Sequence, residues 1–222
     1  MPVSLYGKYP AKRDFVAFNL PTVFLSRLEA WLQSGIAISR ERLGSAWHDY
    51  YVIHPIWNFR VGADILGADT VGSIMPSVDA VGRFFPLVLL AHAQSGKCYP
   101  PAFAIPIGWF SNVHQRLLSA LSEQDVPEPV ELLRDLDEPL SEPIAKAAIR
   151  EIRGVFCMTI DPANITADLE RFCEEERLVA TKNQAMFWTS GGQFVVPQVL
   201  VTVGMPSPEI YTRMMSGQAL PE

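Results

Sequence analysis

Residues 84–91, Phe-Phe-Pro-Leu-Val-Leu-Leu-Ala, carry no polar side chain at any position. A run of that length and composition is the signature of a strand covered on both faces, so the chain must build apolar layers above and below it. Upstream lies a shorter apolar run, Val71–Met75, and between the two sits Pro76-Ser77-Val78-Asp79-Ala80-Val81-Gly82-Arg83. Pro76 and Gly82 punctuate this connection, and Asp79 and Arg83 place opposite charges four residues apart. The stretch Gly72–Ala91 therefore reads as strand, polar turn and buried strand. Pro86 lacks a ladder donor, which puts it near the strand's start, at a bulge or at an edge.

The rest of the chain supplies the covering layers. Val3–Tyr6 reads as a short strand, followed by the loop Gly7–Pro10 and the segment Ala11-Lys12-Arg13-Asp14. Asn19-Leu20-Pro21 opens a helix whose apolar face is Phe24, Leu28, Trp31 and Leu32, with an interruption or end expected at Gly35. A second helix is expected over about 39–51, then a strand over 56–61 with partial alternation. Trp109–Leu121 gives one apolar face, Phe110, Val113, Leu117 and Leu121. Val155–Ile160 reads as a strand and Asp161-Pro162 as a helix start, with Ile165, Leu169 and Phe172 inward. Residues 185–189 and 194–203, parted by Ser190-Gly191-Gly192, read as an antiparallel hairpin, and Pro206-Ser207-Pro208 starts a last short helix. Strands interleaved with helices imply an α/β class, a mixed β-sheet flanked by helices with at least one antiparallel hairpin.

With 222 residues, 49% hydrophobic and 19% charged, the chain has material for one sizeable core. We read it as a single domain, 1–222. Its net charge of −6 is uneven: residues 122–145 hold eight acids and one base, which leaves the remainder near +1. Four prolines (Pro127, Pro129, Pro139, Pro143) limit that stretch to at most one short helix, so it is taken as an acidic surface excursion. An acidic chain without a Lys/Arg stripe is a poor partner for nucleic acid. Three cysteines, Cys98, Cys157 and Cys173, match neither a disulfide framework nor a zinc pattern. No signal peptide and no apolar run near the ~20 residues of a membrane helix is present, so a cytoplasmic protein without membrane insertion is expected.

Chemistry-bearing motifs are few. Gly7-Lys8 is followed by Tyr9 and lacks the preceding glycine of a phosphate loop. His48, His54, His92 and His114 form no ligand spacing with one another, a cysteine or a carboxylate, so no metal or cofactor is expected. Met75-Pro76-Ser77-Val78-Asp79 puts bulky groups where a strained nucleophile elbow needs glycines. Ser77 and Asp79 therefore read first as turn residues bonding local amides. Asp79 and Arg83 can pair across the turn, with Asp14 a second partner for Arg83 or Arg13. Most of the five tryptophans fall on apolar faces and read as core; Trp57 and Trp188 flank polar residues and are the exceptions, candidates for a ligand pocket or a protein interface.

Several segments resemble the TagF (ImpM) family: Gly7–Val16, Asn19-Leu20-Pro21, Trp31-Leu32, Trp47 with Tyr50, and Pro55 with Trp57 and Phe59. The central likeness is Met75–Asp79 followed by Gly82-Arg83-Phe84-Phe85-Pro86-Leu87; Phe187-Trp188-Thr189 and Gly204-Met205-Pro206 also fit. The likeness is densest over residues 3–120. Arg13 stands where many members are expected to hold glycine. The resemblance implies a three-layer α/β sandwich and a non-enzymatic accessory protein of the bacterial type VI secretion system. It further implies post-translational repression through contacts with cytoplasmic components, including the forkhead-associated scaffold protein. On that reading Lys8, Arg13, Asp14, Ser77, Asp79 and Arg83 form a partner-binding or structural turn. The alternative is a small-molecule sensor or hydrolase using Ser77, Asp79 and a histidine brought close by folding.

Overall fold

Alternation along the strands, rather than apolar content alone, sorts the core into two halves. In a computed structural model of the chain, residues 3–100, 105–122, 125–140, 142–143, 150–152, 155–159, 161–162 and 164–218 are described. Val3–Lys8 (β1), Phe15–Phe18 (β2), Trp57–Val61 (β3), Thr70–Met75 (β4), Leu87–His92 (β5), Gln184–Thr189 (β10) and Gln198–Val203 (β11) form one sheet. Its order is β11-β10-β3-β4-β5-β1-β2. The remaining short strands, Lys97–Cys98 (β6) with Glu142–Pro143 (β7) and Arg150–Ile152 (β8) with Val155–Cys157 (β9), pair as two separate ribbons.

The sheet is not mixed. Every pairing among its described strands is antiparallel. For four of the six pairings the reason is connection length: β1 to β2, β3 to β4, β4 to β5 and β10 to β11 are joined by short connections, and a parallel neighbour would need a crossover of a dozen residues or more. The longer connections of this sheet, β2 to β3 and β5 to β10, join strands that are not neighbours. Thr22–Leu43 (α1) and Trp47–Ile53 (α2) carry the chain from β2 at one edge to β3.

Successive residues of each central strand point to opposite faces. Tyr6, Trp57, Phe59, Val61, Ile74, Val88, Leu90, Ala185 and Phe187 join one buried cluster with α1, α2 and Pro208–Ser216 (α6). Val3, Leu5, Val71, Met75, Leu87, Leu89 and Ala91 join another with Ile107–Ser119 (α4) and the 3-10 turn Pro129–Leu133. Leu132 and Leu133 of the acidic stretch are buried in that second cluster. The all-apolar run from residue 84 thus has both of its sides used. Pro86 immediately precedes β5, where its missing donor costs no ladder bond. Trp57 and Trp188 belong to the packing: Trp57 is fully buried and donates to the Met214 carbonyl (3.0 Å), and Trp188 meets the Phe110 ring at 5.0 Å.

Gly35 does not end the first helix. α1 runs unbroken through it to Leu43, and a 3-10 turn, Gly44–Ala46, leads into α2. A glycine costs a helix interior about 1 kcal/mol relative to alanine, and here the missing side chain is what lets α6 approach. A Cβ at this position would lie 2.7 Å from the Tyr211 ring. Tyr211 in turn sets its ring edge-on to Trp31 at 5.8 Å. The helix Ile165–Lys182 (α5) begins four residues past Asp161, with Asn164 at its cap position. The short helix Ala63–Leu66 (α3) fills the β3–β4 connection, and no helix among the described residues is long and apolar enough to cross a membrane.

Gly35→Ala should therefore destabilise the protein by about 1–3 kcal/mol through overpacking against Tyr211, where helix propensity alone would stabilise it. Thermal unfolding of the variant distinguishes the two signs.

Candidate functional site

Asp79 has a side chain with no solvent exposure and yet carries a charge, so everything around it must compensate. Four donors do so. Its Oδ2 accepts from Lys8 Nζ (2.9 Å) and Arg83 Nε (2.7 Å), and its Oδ1 accepts from the backbone amides of Val81 (3.1 Å) and Arg83 (2.9 Å). Burial by itself would raise the carboxyl's pKa. The bonds from the Arg83 amide, the Lys8 and Arg83 side chains and the Val81 amide outweigh it and hold the group well below the usual carboxylate range.

The sequence closes this site locally and at long range. Gly82 N donates to Asp79 O (3.0 Å) and Asp79 N to Arg83 O (3.1 Å), which winds residues 79–83 into a tight turn. Val78 and Phe84 bridge at its base, and the ring of Phe84 packs edge-on against Trp47 (5.3 Å) and Tyr51 (5.4 Å). Lys8 comes from the far end of β1. Its ammonium is buried at 4% exposure, lies 4.2 Å above the Phe15 ring, and reaches the Arg13 carbonyl at 3.5 Å. Gly7, beside it, is needed for the approach: its φ is 133°, and a Cβ there would overlap the Pro86 carbonyl.

Ser77 completes the tie. Its Oγ donates to the Lys8 carbonyl (2.7 Å), and its own carbonyl accepts from the Phe85 amide (3.1 Å) and the Tyr51 hydroxyl (3.1 Å). Ala80 N donates to Lys12 O (3.0 Å), so the turn and the β1–β2 loop are laced together at their outer ends as well. Lys12 then meets Glu128 (2.7 Å), and Tyr9 donates to the Pro127 carbonyl (2.6 Å), anchoring the loop to the acidic stretch.

Of the residues singled out in the sequence, Lys8, Ser77, Asp79 and Arg83 converge on one node. Arg13 contributes only its carbonyl, and Asp14 pairs with neither Arg13 nor Arg83 among the described ion pairs. Both side chains face solvent, as do Ala80, Val81, Gly82 and Arg83. Arg83, 53% exposed, thus has one guanidinium edge on Asp79 and the rest in water. Beside this tip lies a shallow cleft of about 370 Å³ lined by Lys12, Arg13, Asp14, Phe15, Glu128 and Val130.

None of the four histidines bonds Ser77 or Asp79. His48 is exposed beside Asp49 (3.3 Å), His92 meets Ser4 Oγ (3.4 Å), and His114 Nε2 meets Asn58 Oδ1 (2.7 Å). His54 is buried with Nδ1 on the Pro55 carbonyl (3.0 Å), and burial pushes its pKa down to about 4. Ser77 Oγ spends its proton on a backbone carbonyl, so the serine has no base to activate it. No group of three or more potential metal ligands occurs among the described residues.

Sequence reasoning missed two contributors. Tyr51 stands at the end of the helix expected over about 39–51 with no partner evident in the sequence, and its hydroxyl makes a long-range bond that only the fold creates. It also missed a second buried ion pair on the α4 face. Arg60 donates to Asp69 (2.9 Å), whose same oxygen accepts from the Tyr99 amide (2.7 Å). The alternation of Trp57-Asn58-Phe59-Arg60-Val61 was a visible signal for it, had the polar face been read as buried.

Residues 4–137 match the family described as TagF N-terminal domain, type VI secretion system-associated. The chain belongs to the TagF family. The whole Asp79 node, from Lys8 through Phe85, falls inside the matched residues. The fold also resembles a crystal structure of PA0076 from Pseudomonas aeruginosa PAO1, with 27% identity, 99% of this chain and 96% of that chain covered, and a TM-score of 0.80. No curated protein matches the chain.

Asp79→Ala should cost about 3–5 kcal/mol, because it strands a buried Lys8 ammonium, whereas Arg83→Ala should cost below about 1 kcal/mol, the pair being half in water. Denaturant unfolding of both variants tests this order. The pH dependence has a definite sign. A carboxyl whose pKa is depressed by folding stabilises fully above its unfolded value near 4 and loses that contribution as pH falls towards its folded value. The stability gap between the wild type and Asp79→Asn should thus be constant near neutrality and narrow below about pH 4.

Proposed function

We propose that this TagF-family chain is a non-enzymatic regulatory component of a type VI secretion system. It acts in the cytoplasm as a post-translational repressor by binding a component of the apparatus, the forkhead-associated scaffold protein first among them. In this reading the chain is one domain built as a three-layer sandwich. The two apolar clusters on opposite faces of the sheet support that architecture.

The observation that carries the reading is the division of labour within the turn. Asp79, Lys8 and Ser77 are buried and mutually bonded, while the segment they hold, Ala80–Arg83, is exposed next to Arg13 and Asp14. A buried, fully bonded anchor beneath an exposed tip fixes the tip's geometry before any partner arrives, which lowers the ordering cost of association. Arginine suits the contact, because a guanidinium offers several donors in one plane and stacks on aromatic or planar groups. In a chain of net charge −6, Arg13 and Arg83 make this tip a local exception. The bond from Ser77 Oγ to a main-chain carbonyl, and the distance of the histidines' bonding from it, give the hydrolase reading no specific support.

The test is a binding titration between the purified chain and the purified scaffold protein of the same system. Arg83→Ala and Arg13→Ala should each leave the unfolding transition within about 1 kcal/mol of wild type. Together they should weaken binding by at least about tenfold, the lower range for truncating a contact arginine. No binding by the wild type, or equal binding by the double variant, would sink the proposal.

A further inference from the structure

Among the described residues, every strand but the two at the ends of the sheet has both its neighbours, and the two ends differ. β2 is four residues long and is preceded by Arg13 and Asp14. Short length and flanking charge are how natural sheets discourage pairing at an open edge. β11 has neither device. It is six residues, Gln-Val-Leu-Val-Thr-Val, without charge or proline. Its setting is unusual too. From Asn183 to Pro208 there is no Asp, Glu, Lys, Arg or His, a gap of 26 residues in a chain with 42 acidic and basic side chains.

Alternation along β11 separates its two faces. Leu200 packs against the cluster that contains α1, which holds the strand to the sheet. Val199, Val201 and Val203 point the other way, on the side of Trp188 and Met186 opposite them on β10. They are 60%, 53% and 79% exposed. β-branched residues pack well on a pleated surface, and such a row is costly to leave in water without use.

We propose that β11 pairs antiparallel with β11 of a second copy of the chain, about a two-fold axis at Val201, joining two seven-stranded sheets into one. A two-fold axis normal to the sheet pairs residues of equal parity. Val201 then faces Val201, and Val199 faces Val203, so one face of the junction is an unbroken row of valines. Pairing two copies of one chain also sets surfaces of like net charge side by side, a repulsion that an uncharged strand avoids. The 26-residue charge-free gap removes that penalty where the remainder of a net −6 chain would impose it.

Sedimentation of the full chain at about 5 and about 200 µM tests the pairing, since an interface of one strand belongs to the small, weakly associating class. The mass should move towards that of a dimer at the higher concentration. Val201→Lys puts two ammonium groups face to face and should weaken dimerisation at least tenfold, with circular dichroism and melting temperature unchanged. Val201→Cys provides a second measurement. At the axis the two Cα atoms would stand about 4.5–5.5 Å apart, within reach of a disulfide, so mild oxidation should crosslink it above the background set by Cys98, Cys157 and Cys173. A wild type that stays monomeric at about 200 µM, a dimer that Val201→Lys leaves intact, or a Val201→Cys dimer without crosslinking would each overturn the proposal.

Discussion

A carboxylate withdrawn from water and answered by four donors holds this molecule's most distinctive region together. Asp79 gathers the end of β1, through Lys8, and its own turn, through Val81 and Arg83. Neither Lys8 nor Asp79 would tolerate burial alone, since an unpaired ion in the interior costs several kcal/mol. Each is therefore a condition for the other. Ser77 adds a neutral bond to the Lys8 carbonyl, and Tyr51 reaches in from α2, so three separate parts of the chain must arrive together before the node is satisfied. A site of this kind favours one arrangement over nearby alternatives, and the exposed tip inherits that definition.

The same logic recurs in the second cluster. Arg60 and Asp69 form a buried ion pair, and Asn58 accepts from Ser73 (2.7 Å) beside its contact with His114. The face of β3 that turns towards α4 is thus polar and buried, with its hydrogen-bonding needs largely met within the protein. The face towards α1 is aromatic and aliphatic, with Trp57, Phe59 and Val61. Two different solutions cover the two sides of one sheet.

For function, what matters is which groups reach solvent. The residues that look most chemical in the sequence, Ser77 and Asp79, are spent on internal bonds. Those left at the surface are Arg13, Asp14 and Arg83. At the other end of the sheet the surface is of the opposite character, neutral and β-branched along β11. The tip and the edge strand are therefore distinct surfaces. Family membership places the chain among proteins associated with type VI secretion, and the node lies within the residues that carry that membership.

Much of the architecture was legible because local patterns are set by local physics. The all-apolar run before His92 required cover on both faces, Pro86 marked a strand's start, and the period of Phe24, Leu28, Trp31 and Leu32 drew α1. The pairing of Asp79 with Arg83, four residues apart, was an option the turn itself offered. What the sequence left undetermined depended on residues far apart in the chain. Gly35 looks like a helix stop until Tyr211 is seen against it, 176 positions later. Lys8 has no evident partner until β1 lies beside β5 and brings the Asp79 turn to it. The alternation in β3 suggests one wet face, and only Asp69, Ser73 and His114 make that face dry. Sheet polarity followed from how short the connections proved to be. Sequence determined where strands, turns and charges fall, because those follow from neighbours along the chain. Tertiary structure decided which charges are buried and which are offered to solvent, because desolvation depends on what the rest of the chain places on top of them.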